Sequence, residues 1–404
     1  MKMALIGSSG FAEMYYYRAL RDNIPEGLDQ LCGIIDPFVE QSPFLDEYRR
    51  RHIPLYHSLT EFYAQDTCDL LFIASPTRFH KEQILEAFAH GTTVLCEKPL
   101  TATLQEAEEL QQLIAGREER LGVGFQWSFT KGMRRIKQDS LSGLLGKPVY
   151  LKSHISWPRP DSYYTESTWH GHLKAENGRW ILDSISANAV AHYLHNIFFV
   201  LGDSEDHALM PDYIEGSIYR GKPFIESFDS CFYHGGFANG AEFFFTATHA
   251  AEKKTNPRFE YRFTNGTVFF DQDQSDECYA ILKNGNRISY GKPQVKEPEG
   301  LEKIRCMMDV AKGLRKPPCM LHTILPHLKV SNAVLDHMPI QDFPDNMRIV
   351  QNDPAAVWID NLWEMTEQCY QREKLPDEIG FSWASPSTYI DLKDYHTFNG
   401  QLLG

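Results

Sequence analysis

The sequence predicts an N-terminal α/β domain built on a doubly wound parallel sheet, followed by a C-terminal α+β domain with a large, mostly antiparallel open sheet. Three features of the chain point there. Strands and helices alternate through residues 1 to about 122, as parallel βαβ units require. A glycine turn follows the first strand and opens the first helix. From about residue 213, strand-like runs follow one another directly, separated by glycine-rich turns, which is the pattern of antiparallel pairing. The expected domains are 1–122 and 123–404, and 404 residues suffice for two separate cores.

In the first domain, candidate strands fall at 2–6, 31–35, 69–74, 92–96 and 120–124, and candidate helices at 11–22, 42–51, 78–90 and 103–116. Met1 to Ile6 is apolar, and Gly7-Ser8-Ser9-Gly10-Phe11-Ala12 leads into the helix. Such a turn presents backbone N–H groups and a helix dipole to a pyrophosphate. Gly7 and Ala12 fit the first and third positions of G-x-G-x-x-G/A, Ser9 occupies the middle one, and Gly10 comes one residue late. A plain helix-capping turn fits the same residues. The second strand, Leu31 to Ile35, ends in Asp36. A carboxylate there accepts the ribose hydroxyls of a dinucleotide and repels a 2′-phosphate, which favours NAD over NADP. The alternative is a turn residue before Pro37.

Asp69 to Pro76 reads as a buried strand stopped by proline, and Thr77-Arg-Phe-His80 opens a helix that Gly91 ends. Thr92 to Leu95 is the next strand, and Cys96-Glu97-Lys98-Pro99-Leu100 follows it. Ser75, Pro76, Thr77, His80, Glu97 and Lys98 therefore fall at the carboxyl edge of the sheet, where ligands bind in this architecture. With Gly7, Ser9, Gly10, Phe11, Ala12 and Asp36 they are the candidate cofactor contacts. Lys98, on backbone stiffened by Pro99, is placed to hold a positive charge beside a reacting oxygen. Cys96 ends a buried strand and reads as packing.

A helix is expected at about 128–140, broken by Gly143-Leu-Leu-Gly146-Lys-Pro148, and Val149 to Trp157 reads as a strand. Further strands are expected at about 213–219, 224–234, 241–248, 258–263, 267–271 and 278–282, with Asn265-Gly266 marking a hairpin. Helices are expected at about 181–201, 301–315, 320–337 and 354–373. On the 181–201 pattern, Asn188, His192 and His195 stand at i, i+4 and i+7 and so share a face. An imidazole there suits a general base, with a core or surface histidine as the alternative. Trp157, Arg159, Tyr164, Trp169 and Lys174 combine flat rings with charged groups, which suits a carbohydrate; a loop packed by its own aromatics is the other reading.

Composition removes several classes. No apolar run reaches the eighteen residues of a membrane span. Strand one begins at once, so no secretion leader is expected. The eight cysteines form no C-x-x-C pair, which suits reduced thiols and a cytoplasmic location. A formal net charge of −14 argues against nucleic acid. His170-Gly-His172 and His192-x-x-His195 lack a third ligand at zinc spacing, so no metal is expected.

These pieces resemble the glucose–fructose oxidoreductase and inositol dehydrogenase family, Gfo/Idh/MocA. The likeness is strong from Met1 to about Lys152, moderate over 181–202, and architectural beyond. It implies a Rossmann domain followed by an α/β domain whose open sheet face often forms the oligomer interface, hence a homo-oligomer, a dimer or tetramer. It places the family's catalytic lysine on Lys98 and, counting back from Leu201-Gly202, its histidine on His192. The family's two aspartate positions fall on Asn188 and His195; an amide at 188 orients a neighbour but relays no proton. The implied activity is NAD-dependent hydride transfer to or from a hydroxyl-bearing carbon of a sugar, polyol or sugar derivative. Lys98, Trp157, Arg159, Tyr164, Trp169, Lys174, His192 and His195 are the candidate substrate contacts. An NAD-dependent glycosidase with a redox–elimination cycle, or a non-catalytic NAD(H)-binding sensor, are the alternatives.

Overall fold

The computed structural model describes residues 1–25, 27–292 and 301–403. Contacts divide these into two compact units. The first holds Met1–Ala102, Glu106–Thr130 and residues 301–324; the second holds Thr103–Gln105, residues 131–292 and the chain from Leu325 on. A single cut at residue 122 misses the return of 301–324 to the first unit. That return rests on packing. The helix Leu301–Ala311 buries Ile304 and Met307, and Gly122 leaves room for Met307: a Cβ on Gly122 would lie 2.5 Å from its Sδ.

The first unit carries a six-stranded sheet in the order β3-β2-β1-β4-β5-β6. These are Leu55–Tyr56, Leu31–Ile35, Met3–Ile6, Leu70–Ile73, Thr93–Cys96 and Leu121–Val123, all parallel. β1, β4, β5 and β6 are buried throughout, the mark of a sheet covered on both faces. Strand order reverses between β1 and β4, so the turns after these strands flank the topological switch point. The first helix opens at Gly10–Ala12, passes a π-helical turn at Glu13–Tyr17 and continues over Arg18–Asn23. Leu55–Tyr56 and the helix Leu59–Gln65 were not expected; Pro54 and the short strand hide them in the sequence pattern.

The second unit carries a ten-stranded sheet, β14-β13-β12-β11-β7-β10-β9-β8-β15, with β18 also paired to β8. In chain order these are β7 Pro148–Ser156, β8 Tyr213–Arg220, β9 Ser230–Gly236, β10 Glu242–Thr248, β11 Thr255–Phe263, β12 Gly266–Asp271, β13 Ser275–Leu282, β14 Arg287–Gly291, β15 Ile340–Asp342 and β18 Thr388–Asp391. Pairing is antiparallel except β10 with β7 and β15 with β8. A separate hairpin joins β16 Arg348–Asn352 to β17 Ala355–Ile359, so the last helix is Leu362–Arg372 and not 354–373.

Both faces of the central strands are covered. Phe243 packs on Phe198 of the helix Ala191–Leu201, 5.4 Å between rings. The alternate residue Phe244 points the other way and joins Tyr219, Phe232, Leu362, Met365 and Cys369 in one core. The chain's own C-terminal segment thus buries the aromatics of that face, so they give no support to self-association.

Candidate functional site

In the first unit, the turn after β1 is shaped for close approach. Gly7 has φ +108, and a Cβ there would lie 2.7 Å from the Cβ of Ala12; Gly10 has φ +56. Both conformations favour glycine. Ser9 takes the extended backbone of an N-cap, but its side chain caps nothing. Asp36 stands beside this turn: its Oδ2 accepts the N–H and Oγ–H of Ser8 at 2.9 and 2.8 Å. Its Oδ1 accepts the N–H of Phe38 at 2.8 Å, so Asp36 also serves as the turn residue before Pro37. Phe11, Phe38 and Phe79 follow the carboxyl ends of β1, β2 and β4 and are 40%, 63% and 42% exposed. A glycine turn that only glycine can make, a carboxylate beside it and three uncovered rings on one edge fit a dinucleotide.

Behind that edge, Glu97 is nearly sealed. Its Oε1 accepts the Tyr16 hydroxyl at 2.5 Å and the ammonium of Lys303, which is fully buried. Burial, then the Glu97 charge, pushes the Tyr16 phenol well above its ordinary pKa, so it stays a donor. His80 is also buried: Nε2 faces the carbonyl of Ser75 at 2.8 Å, and Nδ1 those of Pro99 and Leu100 at 3.0 and 3.2 Å. It ties the turn after β4 to the turn after β5. Burial lowers its pKa against the pull of those carbonyls. Glu97 and His80 thus frame the edge from behind. Ser75 donates its hydroxyl to Gln83 at 2.6 Å, Pro76 is extended, and Thr77 opens a 3-10 turn. Lys98 is only partly buried, with its N–H donating to Glu97 Oε2 at 3.3 Å. Cys96 is fully buried, and burial holds its thiol well above the usual range, as packing requires.

In the second unit the helix expected over 181–201 begins only at Ala191. Ser184 Oγ accepts the N–H of Ala187 at 3.2 Å, and Leu182 has φ +53, so the preceding segment folds as turns. Asn188 therefore does not share a helix face with His192. Its Nδ2 donates to Asp183 Oδ1 at 2.9 Å, and Asp183 Oδ2 accepts the N–H of Gly171 at 2.6 Å. Along Ala191–Leu201 every residue is buried except His192. His195 is a core residue, stacked on Phe199 at 5.9 Å and edge-on to His327. Burial, then His327 and Lys137, keeps it far below the usual imidazole pKa, which removes it from the substrate contacts.

Trp157, Arg159 and Tyr164 come together, as a carbohydrate cradle needs. Trp157 meets Tyr193 edge-on at 5.9 Å, beside His192. The Arg159 guanidinium lies 5.8 Å from the Trp157 ring and 4.8 Å from that of Tyr163. Tyr164 is buried, its hydroxyl 2.9 Å from His249 Nδ1. Trp169 lies at the rim, on His170, which stacks on Tyr163. Lys174 does not join them; its ammonium sits 4.3 Å over Trp180. Among the described residues no group of three or more His, Cys, Asp or Glu is placed to hold a metal.

Lys303, Tyr16, His249, Phe38 and Phe79 escaped the sequence reading. Only the two phenylalanines had a local signal, since each follows a strand end. Lys303 lies 206 residues from Glu97, and no pattern along the chain joins them.

Residues 1–125 match the family described as "Oxidoreductase family, NAD-binding Rossmann fold". The chain is 22% identical over 300 residues to a 2,7-anhydro-N-acetylneuraminate hydratase of Mediterraneibacter gnavus, covering 70% of this chain and 74% of that protein. It is 36% identical over 110 residues to an inositol 2-dehydrogenase of Serratia proteamaculans, covering 26% of this chain but only 32% of the relative. Among solved structures, an oxidoreductase from Agrobacterium radiobacter in complex with NAD+, L-tartaric acid and magnesium superposes with a TM-score of 0.65. That likeness covers 82% of this chain and 94% of the other at 17% identity, so it speaks for the fold alone. With the parallel sheet and the glycine turn in place, residues 1–125 form an NAD-binding Rossmann domain of the kind found in the Gfo/Idh/MocA oxidoreductases.

Proposed function

We propose that the protein transfers a hydride between NAD and a hydroxyl-bearing carbon of a sugar, polyol or sugar derivative, with Lys98 and His192 each assigned a catalytic role by the family resemblance. The match of residues 1–125 to an NAD-binding oxidoreductase family supports the oxidoreductase class and the cofactor. The carrying observation is that Lys98 follows a fully buried strand and His192 is the one residue of its helix that is not buried, so each is only partly covered. Gly7, Gly10, Phe11, Ala12 and Asp36 would hold NAD, which supplies the hydride acceptor when bound. A ring nitrogen of His192 takes the proton of the substrate hydroxyl. The Lys98 ammonium stabilises the negative charge that grows on that oxygen, which is worth several kcal/mol where water is scarce. Asp183 orients Asn188, which restores a carboxylate to this part of the site one residue removed. Trp157 and Arg159 hold the sugar.

The test is nicotinamide absorbance against hexoses, inositols, sugar acids and glycosides, with wild type, Lys98→Met and His192→Asn. Each variant should lose about a hundredfold or more in turnover while still binding NADH. Turnover of Lys98→Met within about tenfold of wild type defeats the assignment. A second reading has one observation in its favour: the relative matched over 70% of this chain is named a hydratase. A cycle of oxidation, elimination or addition, and reduction would give product with no net absorbance change, as would an NAD-dependent glycosidase. Product assayed in the same wells separates the two; bound NADH without turnover would mark a sensor.

We also propose a cytoplasmic setting, on the ground that the eight cysteines form no C-x-x-C pair and seven of them are buried. No helix among the described residues is long and apolar enough to cross a membrane. Self-association rests on the family resemblance alone.

A further inference from the structure

Three side chains beside the proposed sugar cradle, Trp157, Arg159 and His249, each carry a buried nitrogen with no acceptor in the protein: Nε1, Nε and Nε2 respectively. The three sit in one cluster. Arg159 spans the Trp157 and Tyr163 rings, and Tyr163 meets His249 at 5.8 Å. The Arg159 backbone N–H donates to the carbonyl of His249 at 3.1 Å, which fixes the two residues together.

All three nitrogens are donors. Indole and guanidinium nitrogens can only donate. For His249 the tautomer follows from Tyr164. Its hydroxyl lies 2.9 Å from Nδ1, and burial, then the charge of Asp229, keeps the phenol protonated, so it is able to donate there. Burial, with Arg159 and Lys222 next, holds the imidazole neutral; with the Tyr164 hydroxyl donating to Nδ1, its single proton sits on Nε2 and is left to donate.

The nearby carboxylates are engaged elsewhere. Asp161 pairs with Lys222 at 2.9 Å. Asp183 takes Gly171 N–H and Asn188. Asp229 takes the N–H groups of Gly221 and Lys222 and the hydroxyl of Ser230. Arg159 makes no ion pair among the described residues. The half-buried guanidinium otherwise meets only the Tyr163 side chain and the Trp157 ring. Buried donors without acceptors are costly unless a ligand completes them. A planar, acceptor-only anion does so.

We propose that Arg159, Trp157 and His249 form a carboxylate subsite, and that the substrate is an acidic sugar or sugar acid. This inference rests on the carbohydrate reading above, but binding tests it without turnover. The probes are D-glucuronate, D-galacturonate, D-gluconate and N-acetylneuraminate, with D-glucose and glucose 6-phosphate as comparisons, titrated into the NADH-loaded protein by calorimetry. At least one carboxylate probe should bind at least about tenfold tighter than glucose. Arg159→Gln should weaken that probe by roughly tenfold to a hundredfold while leaving NADH affinity and the melting temperature in place, and Arg159→Lys should recover only part. Equal binding of glucose and all acids, binding of glucose 6-phosphate alone, no binding of any acid at millimolar concentration, or indifference to Arg159→Gln overturns the subsite. Acid binding without redox turnover would keep the subsite and overturn the hydride-transfer reading. Redox turnover of acidic sugars unaffected by Arg159→Gln would do the reverse.

Discussion

Two charges, the buried Glu97 in one unit and the half-buried Arg159 in the other, are handled in opposite ways. Glu97 ends β5 of the parallel sheet and is complete within the fold, with Lys303 and Tyr16 on one oxygen. Arg159 follows β7 of the antiparallel sheet and has rings around it but no carboxylate. Burying a charge is tolerated only when something pairs it. In the first unit the fold itself does so, and the charge serves to hold Lys98 at a fixed strand end. In the second the pairing is left to a ligand. The contrast separates residues that build a site from residues that read a substrate.

The largest test of that contrast is Lys303→Met. It strands a buried carboxylate, and the first unit should lose about 3–5 kcal/mol in urea unfolding. Glu97→Gln in the same chain should recover part of that loss. Arg159→Gln should cost stability little. If Arg159→Gln proved as damaging as Lys303→Met, both charges would be structural and the contrast would fall.

Next comes Asp183→Asn. By loosening Asn188 it should lower kcat about tenfold, in the lower range for a positioned proton-transfer group, with NADH affinity unchanged. A loss confined to KM would assign Asp183 to substrate binding instead.

A comparable effect is expected at Asp36. Asp36→Asn removes the charge but can still accept the Phe38 N–H. The ratio of kcat/KM for NADP to that for NAD should rise about tenfold, the loss of one charged hydrogen bond. An unchanged ratio would leave Asp36 as a turn residue only.

The smallest effect is pH dependence. His80, His154, His195 and His249 are buried with pKa values below the ordinary 6.5, burial being the first cause in each. Below about pH 6.5 the unfolded chain therefore binds more protons than the folded one. Their contribution to stability is complete above that pH and is lost as pH falls. The urea midpoint should drop between pH 7 and pH 5.5. His154→Gln should flatten that drop, since His154 lies under Arg258 with neither ring nitrogen hydrogen-bonded. A flat midpoint would mean these histidines are already protonated when folded.

What was legible in the chain follows the same division. In the first unit, Gly7, Asp36, Ser75 and Lys98 each follow a strand of a parallel sheet. Parallel strands all end on one edge, so naming the strands already gathers these residues. In the second unit, the hairpins were readable from Asn265-Gly266 and the aromatic alternation, but the helix start was not. Ser184 and Asn188 spend their side chains on local turns, which a period of apolar residues does not reveal. His195 kept the right spacing and still went to the core.

The sequence by itself determined the parallel sheet, its glycine turn and the strand end on which Lys98 stands. Those depend on local periodicity and on turns whose residue types are demanded by backbone geometry. Only the tertiary structure decided that Lys303 neutralises Glu97, that Asp183 reaches Asn188, that the C-terminal segment covers Phe232 and Phe244, and that Arg159 meets His249 without a counter-charge. Each of those joins residues brought together by packing, and the energy of a buried charge depends on what surrounds it in space, which no spacing along the chain records.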